Sequence, residues 1–277
     1  VEIVTVSAPT GVVSPDDLAA TVDDQTACVL VQHPNFFGCL EDASALADVT
    51  RDAGALFLVS ADPISLGLLK RPGDYGADVV VAEGQSLGNP MLYGGPYLGI
   101  LACRESLVRK APGRLVGETV DREGRRCWVL TLQTREQHIR RQKATSNICT
   151  NQGLFALRST IYLALMGPQG LRETAELCAQ KARYAADALA ATGRLTRAFA
   201  APIFKEFVLR DVEGRPEQLL AELRKAGFHA GIPLGRFNPE LADCILVAVT
   251  EQRTKAEIDR LASCVSECAA SADRKRN

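Results

Sequence analysis

Three places in this sequence put residues capable of chemistry at the ends of apolar, strand-like runs. Residues 27–31 lead into Gln32-His33-Pro34-Asn35, and residues 55–60 lead into Ala61-Asp62-Pro63. Residues 78–82 lead into a stretch from Glu83 to Gly99 with five glycines and two prolines, which carries Gln85-Ser86 and Tyr93-Gly94-Gly95. In an open sheet of parallel strands such ends converge on one crevice. An Asp there can pair with the protonated nitrogen of a pyridine ring, as in pyridoxal-phosphate enzymes. That chemistry also needs a lysine after the next strand, to form a Schiff base. This sequence has Gln85-Ser86 at that point, and the nearest lysine, Lys70, precedes the Val79 run instead of following it. On its own, Asp62 reads equally as a turn cap before Pro63. The glycine-rich loop reads equally as a turn that needs its glycines for shape.

The elements that would position these residues are legible in outline. The first half alternates strand and helix, with Leu46, Val49 and Ala53 at helical spacing between the first two apolar runs. Residues 97–103 read as a further strand. Strands at this spacing with helical crossovers imply a mostly parallel sheet. Residues 1–6, five of them β-branched, read as a strand that the chain enters at its first residue, which suggests a piece of a longer protein. After Asn151 a helical run reaches Leu165 and is punctuated by Met166-Gly167-Pro168. Beyond it Leu171, Ala175, Cys178, Ala182, Ala185 and Leu189 recur at steps of three and four, the apolar stripe of an amphipathic helix. Strand-like residues 204–209 and 245–249, and helical residues 216–226 and 255–269, complete a small α+β unit. The expected division is 1–166 for a partial large α/β domain and 167–277 for a small C-terminal one, with no internal repeat or low-complexity linker.

Composition narrows the partners. The 277 residues are 47% hydrophobic and 23% charged, enough for a sizeable core, and the formal net charge is −1. Such a balance points to neither nucleic acid nor an anionic membrane surface, and no apolar run is long enough to span a bilayer. Nine scattered cysteines without a CxxC pair read as reduced thiols of a cytoplasmic protein. Cys264 and Cys268 share a helix face, but two ligands do not make a metal site. A free-standing nucleotide-dependent enzyme lacks its signature, since no strand–GxGxxG–helix unit occurs.

Several of these stretches together resemble the P-protein, glycine decarboxylase, of the glycine cleavage system. They are residues 32–38, 61–63, 84–88 and 93–97, with Gln133-Thr134-Arg135-Glu136-Gln137-His138-Ile139-Arg140-Arg141 and the run from Lys143 to Gln152. The resemblance is closest to subunit 1, the α subunit or N-terminal half, and covers nearly the whole chain, most strongly residues 27–160.

The resemblance implies an α/β fold of the fold-type I pyridoxal-phosphate class, aspartate aminotransferase-like, with a smaller C-terminal α+β domain. It implies an oxidoreductase acting on the CH-NH2 group of glycine, which decarboxylates it and passes the aminomethyl group to the lipoyl arm of the H-protein. In that family the cofactor lysine belongs to the β half, P-protein subunit 2, within a single long chain or an α2β2 heterotetramer. Gln85 then occupies the lysine position, pyridoxal phosphate is held covalently by the partner, and the isolated chain is expected to be inactive. Asp62, His33 and Asn35 would line a relic cofactor cleft. Tyr93, Gly94 and Gly95 would reach the partner's cofactor phosphate in trans. Arg140, Arg141 and Lys143 beside Thr145 and Asn147 would face an anionic group or an acidic partner surface, or form a solvated helix end. The family's large domain also begins with a glycine-rich phosphate loop and further strands, expected upstream of Val1. The alternative is a non-catalytic scaffold homologue that only supports assembly.

Overall fold

The computed structural model describes residues 1–95, 97–111, 115–132, 137–144 and 152–274. A short helix, α1 (Pro15–Ala19), precedes β1 (Cys28–His33), α2 (Ala43–Asp52), β2 (Leu56–Ala61) and β3 (Val79–Glu83). β1, β2 and β3 pair in parallel, with Val31 beside Val59 and Val59 beside Val80. β4 (Gly99–Cys103) closes this sheet antiparallel, Val81 facing Leu101, so the order is β1-β2-β3-β4. α2 begins where the Asp42 side chain accepts from Ala45 N at 3.1 Å, an N-cap that satisfies one of the free amides of a first turn. Its Ala43, Leu46 and Ala47 are buried with Phe57 and Val59 of β2. Each large side chain so buried contributes roughly 1.5–3 kcal/mol.

The strand expected over residues 1–6 does not form. Val1, Ile3 and Val4 are exposed, and Val6 alone of its apolar residues packs against the first core. A β-rich hexapeptide becomes a strand only with a ladder partner for its amides, and among the described residues β1 pairs with β2 alone.

A hairpin that the sequence reading did not anticipate follows, β5 (Leu115–Val120) with β6 (Arg126–Thr131). Its turn is held by Asp121 Oδ1, which accepts from the amides of Glu123 and Arg125. After the short α3 (Gln137–Arg140) comes α4 (Gly153–Ala190), broken at Gly167, which takes φ 61° and ψ −178° just before Pro168. The punctuation expected at residues 166–168 is this break. Beyond it, Ala175, Cys178, Ala182, Ala185 and Leu189 are fully or almost fully buried, as their spacing requires.

The C-terminal region holds β7 (Leu195–Arg197), β8 (Glu206–Asp211), α5 (Pro216–Lys225), β9 (Ile232–Pro233), β10 (Cys244–Ala248) and α6 (Lys255–Arg274). Its antiparallel sheet runs β7-β8-β10-β9, covered by α4, α5 and α6 over one core. The two sheets meet through residues 202–206. Leu40 N donates to Pro202 O and Phe204 N to Gly38 O, each at 2.9 Å. Phe204 is buried with Ile64, Leu87, Ala175 and Cys178. Among the described residues no helix is long and apolar enough to cross a membrane.

Candidate functional site

The ends of β1, β2 and β3 open on one cavity of about 430 Å³. It is lined by Asn35 after β1, Asp62 after β2, and Glu83, Gln85 and Ser86 at the end of β3. Lys205 and Glu206, from the start of β8, complete its far wall. The convergence expected of parallel strand ends is therefore present. The chemistry of each member is decided by what already binds it.

Asn35 is engaged at both ends of its amide. Its Nδ2 donates to Gly11 O at 2.7 Å and to Glu41 Oε1 at 2.6 Å. Its Oδ1 accepts from Phe37 N at 3.0 Å and Cys39 N at 3.1 Å. Glu41 also accepts from Val13 N at 2.9 Å, so this cluster ties the first irregular residues to the loop after β1. Burial pushes the Glu41 carboxyl up, against the lowering effect of its bonds to Asn35 and Val13. His33 is not part of the cavity wall. Strand alternation turns it to the α2 side, where its Nδ1 accepts from Glu41 N at 3.3 Å and its ring meets Tyr75 edge-on. Burial lowers its pKa, so the ring is neutral, with the proton on Nε2.

Asp62 forms the turn cap of one sequence reading, and its other oxygen meets a lysine. As a turn cap, its Oδ1 accepts from Ile64 N at 2.8 Å and its carbonyl from Ser65 Oγ at 2.7 Å. As a carboxylate seeking a cation, its Oδ2 lies 2.5 Å from Lys205 Nζ. Lys205 is 143 residues away in sequence, and no local motif marks it as a site residue. The available signal was the charged pair Lys205-Glu206 inside an otherwise apolar strand-like run. That run reads as strand from residue 204, whereas Lys205 has a left-handed backbone, φ 57°, and β8 starts one residue later.

Gln85 sits at the end of β3, where its N–H donates to Glu83 Oε1 at 2.9 Å and its Nε2 to Asn89 O at 2.7 Å. Asn89 in turn donates to Ser159 Oγ at 2.8 Å, fastening the loop to α4. Among the described residues the cavity wall thus holds three carboxylates, of Asp62, Glu83 and Glu206, against the one ammonium of Lys205. Burial and the neighbouring Asp62 push the Glu206 carboxyl up, with Lys205 partly opposing. Gln85, which the sequence reading puts at the Schiff-base position, carries an amide, and Asp62, which it puts opposite a ring nitrogen, is paired with Lys205. The residues present do not fit a covalently held pyridoxal phosphate.

Tyr93, Gly94 and Gly95 lie outside this cavity, on the loop before β4. Tyr93 is 90% exposed, with φ 48°. Gly94 has no atom within 4 Å of where a Cβ would stand, while Gly95 N donates to Leu92 O at 3.0 Å. Arg140 ends α3, and Arg141 and Lys143 occupy the 3-10 turn after it; all three are exposed and none lines the cavity. Thr145, Asn147, the residues 133–136 and most of the run to Gln152 lie outside the described residues.

Comparison with known proteins agrees with this geometry. The family model for the glycine cleavage system P-protein matches residues 2–265. The probable glycine dehydrogenase (decarboxylating) subunit 1 of Desulforamulus reducens is 55% identical over 247 residues, 89% of this chain and 55% of that protein. Its counterpart in Chlorobaculum tepidum is 52% identical over 260 residues, 94% of this chain and 57% of that one. A crystal structure of glycine decarboxylase (P-protein) of the glycine cleavage system, in inhibitor-bound form, superposes with a TM-score of 0.82 at 44% identity. The match covers 89% of this chain and 56% of that one. A NifS-like protein, at 14% identity and TM-score 0.65, shares the fold. The chain spans about half the length of the curated relatives it matches.

Proposed function

This chain belongs to the P-protein family of the glycine cleavage system, and on that premise we propose that it acts as the lysine-free subunit 1 of a two-subunit glycine decarboxylase. The observation that carries the reading is Gln85, which lines the cleft at the end of β3, where the cofactor lysine of a working site would stand. In the assembled enzyme the partner subunit 2 supplies the lysine and holds pyridoxal phosphate. The cofactor provides the electron sink for loss of the glycine carboxyl as CO2. The aminomethyl group then passes to the lipoyl arm of the H-protein, in the cytoplasm.

This chain's part in that enzyme is architecture and a trans contact. Tyr93 is 90% exposed and a Cβ on Gly94 would meet no atom within 4 Å among the described residues, which supports a backbone contact to the partner's cofactor phosphate. The Gly95 amide is less suited, being bonded to Leu92. Arg140, Arg141 and Lys143 are placed to meet an anionic group or an acidic partner surface, with Thr145 and Asn147 beside them in sequence. Two apolar faces support the presence of further protein. Leu154, Leu157, Ile161 and Leu165 form an exposed stripe on the first half of α4, and Leu30, Val81 and Leu101 are exposed on the first sheet. Contiguous exposed apolar surface of this kind marks an interaction face. The rest of the subunit's length and the partner subunit are the bodies available to cover it. We also assign residues 1–166 to the large domain and 167–277 to the small one, the break at Gly167 marking the boundary.

Co-expression of the full-length subunit with a lysine-bearing subunit 2, followed by a glycine–CO2 exchange assay, tests the reading. Exchange should need both subunits. Borohydride trapping with pyridoxal phosphate should leave no stoichiometric adduct on any lysine of this chain, and finding one would overturn the assignment. Gly94→Pro, which removes the exposed amide, separates the trans contact from a scaffold role: it should leave the complex assembled while weakening cofactor retention by the partner.

A further inference from the structure

Lys205 is the least expected residue of the cleft. It reaches Asp62 from the other sheet, its side chain is 9% exposed, and Nζ lies 2.5 Å from Oδ2. Its backbone is in the left-handed region, which a lysine rarely adopts and which persists only when the surroundings impose it. They do so here on both sides. Glu206 N donates to Phe204 O at 2.7 Å, Val249 N donates to Lys205 O at 2.9 Å, and Phe204 N donates to Gly38 O at 2.9 Å. The side chain crosses the Phe204 ring, with Nζ 5.5 Å from its centroid. The remaining oxygen of Asp62 is committed to Ile64 N. Among the described residues lining the cavity Lys205 is the one cation, and Glu206 and Glu83 line it too.

We propose that Lys205 is the resident cation of this cleft: its ammonium holds the position opposite Asp62 that a protonated ring nitrogen would take, shutting the site to pyridinium-type ligands and stapling the C-terminal sheet to the end of β2. The proposal rests on Asp62 being the counterpart of a ring-nitrogen carboxylate, and so deepens the reading of a lysine-free half. Loss of the lysine at position 85 removes the covalent anchor; Lys205 removes the ionic one. An apolar side chain could have filled the same space but would have left the half-buried Asp62 carboxylate without a cation, whereas a lysine's flexible stem and point charge satisfy it.

Competitive acetylation of the full-length subunit in complex with its partner reads the pair directly, whichever reaction the complex performs. Lys205 should be labelled at least ten-fold more slowly than the exposed Lys70 and Lys225. Asp62→Asn should raise its rate at least ten-fold without changing theirs. Labelling of Lys205 at the rate of Lys70, or no response to Asp62→Asn, would overturn the proposal. A second measurement uses pyridoxine, which has neither the aldehyde nor the phosphate, followed by calorimetry. The native protein should bind none in an Asp62-dependent way. Lys205→Ala should bind it at least ten-fold more tightly, and Lys205→Ala combined with Asp62→Asn should lose that gain. Asp62-dependent binding by the native protein, or no gain in a folded Lys205→Ala, would refute the exclusion role. Should Lys205→Ala fail to fold, the acetylation comparison decides alone. Loss of glycine–CO2 exchange with an intact acetylation pattern would count against the proposed function and not against this pair.

Discussion

Gly38→Ala is the sharpest perturbation of the joint between the two sheets. Gly38 closes the turn after β1 with φ 76°, and a Cβ there would stand 1.9 Å from Glu206 O and 2.3 Å from Glu206 C. Both are backbone atoms, so no side-chain rotation relieves the clash. The left-handed conformation costs an alanine about 1–2 kcal/mol. Forcing residues 203–206 away adds about 1–3 kcal/mol, typical of an overpacked site. The expected loss is therefore about 2–5 kcal/mol. Two other glycines separate the contributions. Gly54 has φ 77° but nothing within 4 Å, so Gly54→Ala should lose only the conformational part, about 1–2 kcal/mol. Gly73 has neither positive φ nor a neighbour, and Gly73→Ala should stay within about 0.5 kcal/mol of wild type or stabilise slightly. Urea denaturation followed by circular dichroism at the helix band ranks the three, since the lone Trp128 is 60% exposed on the hairpin and reports the core poorly. A Gly38→Ala protein as stable as Gly54→Ala would mean that residues 203–206 are not held against the loop after β1. The placement of Lys205 would then lose its basis.

Other perturbations act at separate places. Asp211→Asn should cost about 1.5–3 kcal/mol, because Arg194 and Asp211 form a buried two-point pair at 2.6 and 3.0 Å that the amide cannot reproduce, while Glu213, 2.7 Å from Arg194, remains as the guanidinium's carboxylate. Burial alone would raise the Asp211 carboxyl, but the bonds from Arg194 and from the Glu213 and Arg215 amides hold it below 3.8. Its contribution should therefore be complete above that value and fade as pH falls through the lower folded one, a dependence absent from the Asp211→Asn protein. His33 has the opposite preference for charge: burial lowers it from 6.5, so the unfolded chain takes up the proton first and stability should fall as pH drops below 6.5. Titrating the His33 ring resonance by NMR should give a midpoint below 6.5, and a midpoint at or above it would contradict the burial described. Gln85→Lys in the otherwise native subunit should not create glycine-dependent CO2 release, because Lys205 still holds Asp62 and a nucleophile without positioning carries little rate. CO2 release by that variant without subunit 2 would show the site to be misplaced.

What the sequence makes legible here is whatever local spacing encodes. The apolar runs ending at Gln32, Ser60 and Ala82 form β1, β2 and β3 within a residue or two, and the stripe from Ala175 to Leu189 is buried as its steps demand. The rule that parallel strand ends converge brings Asn35, Asp62 and Gln85 to one cavity without any long-range information. Three features escape such reading. Residues 1–6 have strand composition, but no ladder partner is encoded in them. The β5–β6 hairpin is announced by an Asp121-to-Gly124 turn flanked by alternating residues that periodicity alone left unread. Lys205 is silent because its role depends on a partner 143 residues away and on a left-handed backbone imposed by neighbours from two sheets.

The same accounting of partners bears on what the cleft can still do. A working cleft keeps polar groups at its strand ends available for a ligand, and buried polar groups left without any partner are costly. In this chain Asn35, Asp62 and Gln85, at the strand ends, find their partners within the protein. Asn35 accepts two amides and donates twice, Asp62 divides its oxygens between Ile64 and Lys205, and the Gln85 amide nitrogen closes on Asn89. Each bond that replaces a ligand contact also fastens an element: the N-terminal segment, the C-terminal sheet, and, through Asn89 and Ser159, the first half of α4. The cleft has the topology of a cofactor site and the bonding of a structural joint. Contacts that serve catalysis from this half are therefore to be sought at its unbonded surface, the Tyr93-Gly94 loop and the uncovered apolar faces, where the chain leaves groups for another body to meet.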